Sequence, residues 1–188
     1  MRSPQTLSEG DRRTVAAWAA DCAEHALKIF EATAPSDGRP RDLIARARAF
    51  SRGDLDVAEG IRHRFSGGVP AGEVRAAAAA RAAGQAAAVC HMGAHALGAA
   101  AYAAKAAGLA EPDRADAITE EVRWQLDHAS AAVKAALRLL PPVGENAAGP
   151  LGPGLLSSGL IGAIVHDLQV GLAESDPDPT ARSHHRSR

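Results

Sequence analysis

The chain has 188 residues, 46% of them hydrophobic but only 3% aromatic, with 21 basic and 22 acidic residues and a formal net charge of −1. That length suits one domain with a real core rather than two. The charge balance argues against a nucleic-acid binder, which normally shows a basic excess or stripe. Three Phe, two Trp and one Tyr leave alanine and leucine to build the core.

Helical periodicity runs through the chain, and no run alternates in the manner of a strand. The first helix begins near Ser8, a good N-cap followed by Glu9 and Asp11. It continues to about Ala32, with Val15, Trp18, Cys22, Leu27, Ile29 and Phe30 as its inner stripe. A second helix spans about Pro40 to Arg52 and stops at Gly53, and a third covers about Asp54 to Phe65. The fourth is the long Ala-rich central helix, from Pro70 to about Ala107. Within it Gly84, Gly93 and Gly98 each cost about 1 kcal/mol against alanine, which predicts close backbone approach by a neighbouring helix. The fifth runs from Pro112 to Leu139 and ends at Pro141-Pro142.

Four prolines and four glycines between Pro141 and Gly154 read as a linker. A final amphipathic helix follows from about Leu155, with Leu160, Ile161, Ile164, Val165, Leu168 and Leu172 on one side. Its lack of Lys and Arg argues against membrane docking. The expected organisation is all-α: a single-domain bundle of five to six helices over residues 1–140, a Pro/Gly-rich linker at 141–154, a helix at 155–174 that packs on the bundle or on a second subunit as a homodimer, and a disordered tail at 175–188.

Cys22 and Cys90 stand inside helical patterns far apart in sequence and suggest no disulfide framework. The first residues lack the apolar core of a signal peptide, and no stretch approaches the ~18 apolar residues of a membrane span. A reduced, cytoplasmic protein is expected.

The polar groups that break the apolar faces are the candidates for chemistry. His91 and His95 stand four apart, the spacing that puts two imidazoles on one helix face and suits two nitrogen ligands on one metal. The same pair also reads as two satisfied core histidines. Asp21 and His25 form another i, i+4 pair, in which a carboxylate fixes an imidazole tautomer. Trp18 and Cys22 suggest that this face points inward. Trp124 and His128 repeat the spacing on the fifth helix, and Arg39 and Arg41 flank Pro40, where arginine grips an anion or stays solvated. His63 and His166 have no evident partner and read as structural. There is no P-loop, no G-x-S-x-G elbow and no C-x-x-C pair.

Three stretches, from Asp11-Arg12-Arg13 through His25-Ala26-Leu27, from Arg39-Pro40-Arg41 through Arg52-Gly53, and from Ala80-Arg81 through Tyr102-Ala103-Ala104-Lys105, are extended by Trp124-Gln125. Together they resemble the immunity-protein family of bacterial polymorphic toxin systems over roughly residues 10 to 130. The resemblance implies an all-α bundle that neutralises a cognate protein toxin by binding it. It carries over Asp21, His25, Arg39, Arg41, His91, His95 and Trp124. The linker from Pro141 and the final helix lie outside that pattern, and the near-neutral charge departs from the strong charge many immunity proteins carry.

Three functional readings follow, one of them a non-catalytic homodimer scaffold that uses the last helix. In the first, the chain masks a toxin by surface contact. In the second, it is a small helical enzyme or a protein that binds a small-molecule ligand. His25, His91, His95 and Asp21 are then catalytic, and Trp18, Arg39, Arg41, Tyr102, Trp124 and His128 contact the ligand. His91, His95 and His25 are the metal candidates for a divalent ion such as Zn²⁺, although no cofactor is required.

Overall fold

Ser8 starts the first helix as its position demands. Its side chain accepts a hydrogen bond from the Asp11 amide, and Glu9 and Asp11 occupy the first turn. A computed structural model describes residues 3–56 and 73–174. Among the described residues it holds seven α-helices and no strand. They are α1 (Glu9–Glu31), α2 (Arg39–Arg52), α3 (Val74–Ala88), α4 (His95–Ala110), α5 (Ala117–Asp127), α6 (Ala131–Leu137) and α7 (Gly159–Glu174), with 3-10 turns at Pro4–Thr6 and Leu155–Ser157. The fold is an all-α single domain. From residue 57 onward the helix expected after Asp54 lies outside the described residues, together with His63 and residues 175–188.

Alanine is the packing surface. Ala16, Ala19, Ala20 and Ala23 of α1, Ala76, Ala79, Ala83 and Ala86 of α3, and Ala96, Ala99, Ala100 and Ala103 of α4 are all buried. These three helices pack on one another, and α2 covers α1 and α3. Small side chains gain little area each, so the core relies on many close helix contacts with few large fillers. Trp18, Phe30, Phe50 and Leu97 are the large side chains that close it.

The expected long central helix is two helices folded back on each other. Gln85 of α3 lies 2.7 Å from the His95 ring of α4. In one straight helix ten residues span roughly 15 Å. The break at Val89–Ala94 comes from the N-terminal segment. The Gly93 and Ala94 amides donate to the carbonyls of Thr6 and Gln5 instead of to a preceding helical turn. Gly93 also lies under Leu7, where an added Cβ would sit 2.4 Å from Leu7 Cδ1. Gly98 packs against Gln85 and Leu156 in the same way, whereas Gly84 meets nothing within 4 Å. The nearest neighbours are thus side chains, Leu7 of the N-terminal segment at Gly93 and Gln85 of α3 with Leu156 at Gly98, and not the backbone of a neighbouring helix as expected.

The expected fifth helix is likewise two. Ser130 caps a new helix by accepting from the Val133 amide, so α5 ends at Asp127 and α6 starts at Ala131. These breaks take the count past five to six.

Residues 141–154 form a loop that packs on the N-terminal segment. Gln5, fully buried, donates through Nε2 to the Asn146 carbonyl at 2.7 Å and accepts from the Leu151 amide at 2.8 Å. Beyond it α7 lies against α4 and α5. Ile161, Ile164, Val165, Leu168 and Leu172 are buried there, while Leu160, expected on that face, is 46% exposed.

Candidate functional site: a histidine–tryptophan stack between three helices

Three short periodicities meet at one place. On α1, Asp21, Glu24, His25 and Lys28 fall on one face, and on α5 Glu121, Trp124, Gln125 and His128 do the same. Between them α4 presents only Ala103, Ala107 and Ala110. Because those alanines fill so little space, a cavity of about 380 Å³ remains, bounded by His25, Ile29, Glu121 and Trp124. A second, more open space of about 460 Å³ adjoins it, bounded by Asp21, Glu24, His25, Lys28, Trp124 and His128.

Trp124 organises the rings. The His25 imidazole stacks on it with centroids 3.9 Å apart and planes 10° apart, and His128 stacks at 4.2 Å and 27°. Each imidazole is oriented by an acceptor. His25 Nδ1 lies 2.8 Å from Glu121 Oε2, and His128 Nδ1 lies 2.7 Å from the Trp124 carbonyl. A carboxylate and a carbonyl only accept, so Nδ1 carries the hydrogen in both rings, and in a neutral ring Nε2 is then an acceptor. No further partner of either Nε2 occurs among the described residues.

Behind the rings the support is buried. Glu121 is 7% exposed. Its Oε1 accepts from Gln125 Nε2 at 3.0 Å, and the same amide donates to the Ala100 carbonyl of α4. Trp18 Nε1 donates to the Gln125 carbonyl at 2.8 Å. The carboxylate is thus fixed from two sides before any ligand arrives. Beneath it, burial pushes the Cys22 thiol pKa well up, and the nearby charges of Glu121 and Asp21 add to that.

The residues singled out from sequence separate into several places. Asp21 does not orient His25. Its carboxylate pairs with Arg48 of α2 at 2.8 Å, and Arg48 also binds Glu24. His25, Trp124 and His128 come together in the cleft. His91 and His95 are adjacent, with ring centroids 4.9 Å apart, but at the α3–α4 turn and not on one helix face. His95 begins α4, while the cleft floor lies eight to fifteen residues further along, roughly 12–22 Å at 1.5 Å per residue. His25 therefore stands apart from the His91–His95 pair. Among the described residues no group of three or more His, Cys, Asp or Glu side chains is arranged to hold one.

Trp18 is a core anchor, 2% exposed, and Tyr102 is equally buried with the Arg81 guanidinium 6.0 Å over its ring. Burial raises the Tyr102 hydroxyl pKa, and Arg81 opposes that shift. Arg39 is held by Asp37 and Arg41 by Glu31, both at the surface. Sequence reasoning missed Glu121, Lys28 and the three alanines. The signal was present in Glu121, Gln125 and His128, which repeat at four and three on the same face as Trp124.

The family model described as Imm-5 like putative immunity protein matches residues 5–132. The chain belongs to this family. Every residue of the cleft in this immunity-family protein lies inside the matched span. Most of α6, the loop from Pro141 and α7 lie beyond it. Comparison with curated proteins and with solved structures finds no match. No described helix is long and apolar enough to cross a membrane.

Proposed function

We propose that this protein neutralises a partner toxin by direct contact, through the face on which α1 and α5 expose His25, Glu24 and His128. The observation that carries this reading is the family match over residues 5–132, which contains the whole cleft. A standard interface takes about 800 Å² from each partner. Cys22 and Cys90, both buried thiols, suit action in the reducing cytoplasm. Co-expression with the toxic product of an adjacent gene tests the reading. Restored growth and a co-purifying complex are expected; neither appearing sinks it.

One observation favours a second reading, a small-ligand or catalytic site. An imidazole held by a buried carboxylate at the wall of a cavity is the arrangement of a general base. Under this reading His25 acts and Glu121 positions it, while His91 and His95 play no part. Elemental analysis of protein purified without a His tag adds a check on metal use: about one zinc per chain would require a ligand set that does not join His25 to the His91–His95 pair.

A further inference from the structure

The cleft has a chemistry of its own. Its floor is apolar and narrow, made by Ala103, Ala107 and Ala110 with Ile29 at the side. Its rim offers acceptors: Nε2 of His25, Nε2 of His128 and the carboxylates of Asp21, Glu24, Glu111 and Glu120. Cations answer them only in part. Arg48 spans Asp21 and Glu24, Arg114 spans Glu111 and Glu120, and Lys28 stands between. With Glu121 behind the rings, carboxylates outnumber cations and an anion is the wrong guest. We propose that this cleft seats one arginine side chain projecting from the partner toxin. The inference rests on the toxin-contact reading and names the anchor it would use.

An arginine fits on three counts. Its aliphatic stem lies along the alanine floor and removes apolar surface from water. Its guanidinium is a rigid fork of donors facing a rim of acceptors. The planar group also suits stacking on the imidazoles that Trp124 orients. A lysine ammonium satisfies the first count only, since it is compact, strongly hydrated and does not stack. The chain itself shows the preference, because arginine and not lysine bridges the carboxylate pairs on both sides of the rim. Arginine is also a residue that recurs as a buried anchor at protein interfaces.

The test has two arms. In the first, the intact protein at pH 8 is titrated with N-acetyl-arginine amide while the indole and imidazole nitrogen signals are followed. Saturable shifts at Trp124 and His25 are expected. The variant Ala107→Leu fills the floor without changing charge, and should weaken the response about tenfold with its melting temperature checked alongside. No saturable shift, an equal response to N-acetyl-lysine amide, or an unchanged response in Ala107→Leu would each overturn the assignment. In the second arm Ala107→Leu and Glu24→Lys are co-expressed with the toxin. Lost protection in both, with folding retained, supports the proposal. Full protection by both while the wild type protects overturns the cleft and leaves the toxin-contact reading standing. Saturation by arginine amide with no protection by the wild type overturns the toxin source and identifies a site for a free guanidinium compound.

Discussion

Glu121, 96 positions from His25, is what holds that ring in place. This hydrogen bond takes mainly one partner out of water, since Glu121 is buried while the His25 side chain is 39% exposed. Replacing His25 by phenylalanine keeps a ring on Trp124 but removes the donor to the buried carboxylate. Urea denaturation should show a loss of about 1–3 kcal/mol. Adding Glu121→Gln should cost less than the sum of the single changes, with a coupling of about 0.5–3 kcal/mol; strict additivity would mean that the two groups do not interact. Cys22 carries the pH prediction. Its folded-state pKa lies above that of the unfolded thiol, near ~8.5. Below that pH both states keep the proton and stability is flat. Above it the unfolded chain ionises first, so stability falls as pH rises toward the folded value. Melting temperature should drop between pH 8 and 10, less steeply in Cys22→Ala, and native protein at pH 8 should leave Cys22 unreactive toward a thiol reagent.

At the scale of an element, a local preference yields where another segment competes for the same backbone groups. The alanines either side of Val89–Ala94 favour helix, yet Gln5 and Thr6 take the amides of Ala94 and Gly93 and the chain reverses. Gly162 shows how tightly such contacts are set. It sits in α7, where alanine would gain about 1 kcal/mol of helix propensity. An added Cβ there would lie 2.5 Å from the Ser157 backbone carbon and 2.7 Å from its oxygen. Backbone cannot step aside as a side-chain tip can, so Gly162→Ala should destabilise by about 1–3 kcal/mol despite the propensity gain. A higher melting temperature in that variant would show that the 3-10 turn before α7 moves freely.

Across the whole molecule, α7 completes a bundle whose family match stops at residue 132. Its buried face and Leu151 of the loop cover apolar surface of α4 and α5, each large aliphatic contributing about 1.5–3 kcal/mol when fully buried. A chain ending at Leu140 should lose cooperative melting by circular dichroism and self-associate in light scattering. An unchanged mass and melting curve would show that α7 is dispensable to the fold. The fold class, the start of α1 at Ser8 and the end of α2 at Gly53 were legible in the sequence, because caps and periodicity are written within a few neighbouring residues. His25, Trp124 and His128 were legible as polar groups recurring on apolar faces, but not that their rings stack on one another. Glu121 in place of Asp21 beside His25, the reversal of the central helix, and the separation of His91 and His95 from the cleft were decided only by tertiary structure. Each depends on which distant segment reaches a given backbone or side-chain group first, and spacing along one helix carries no information about that.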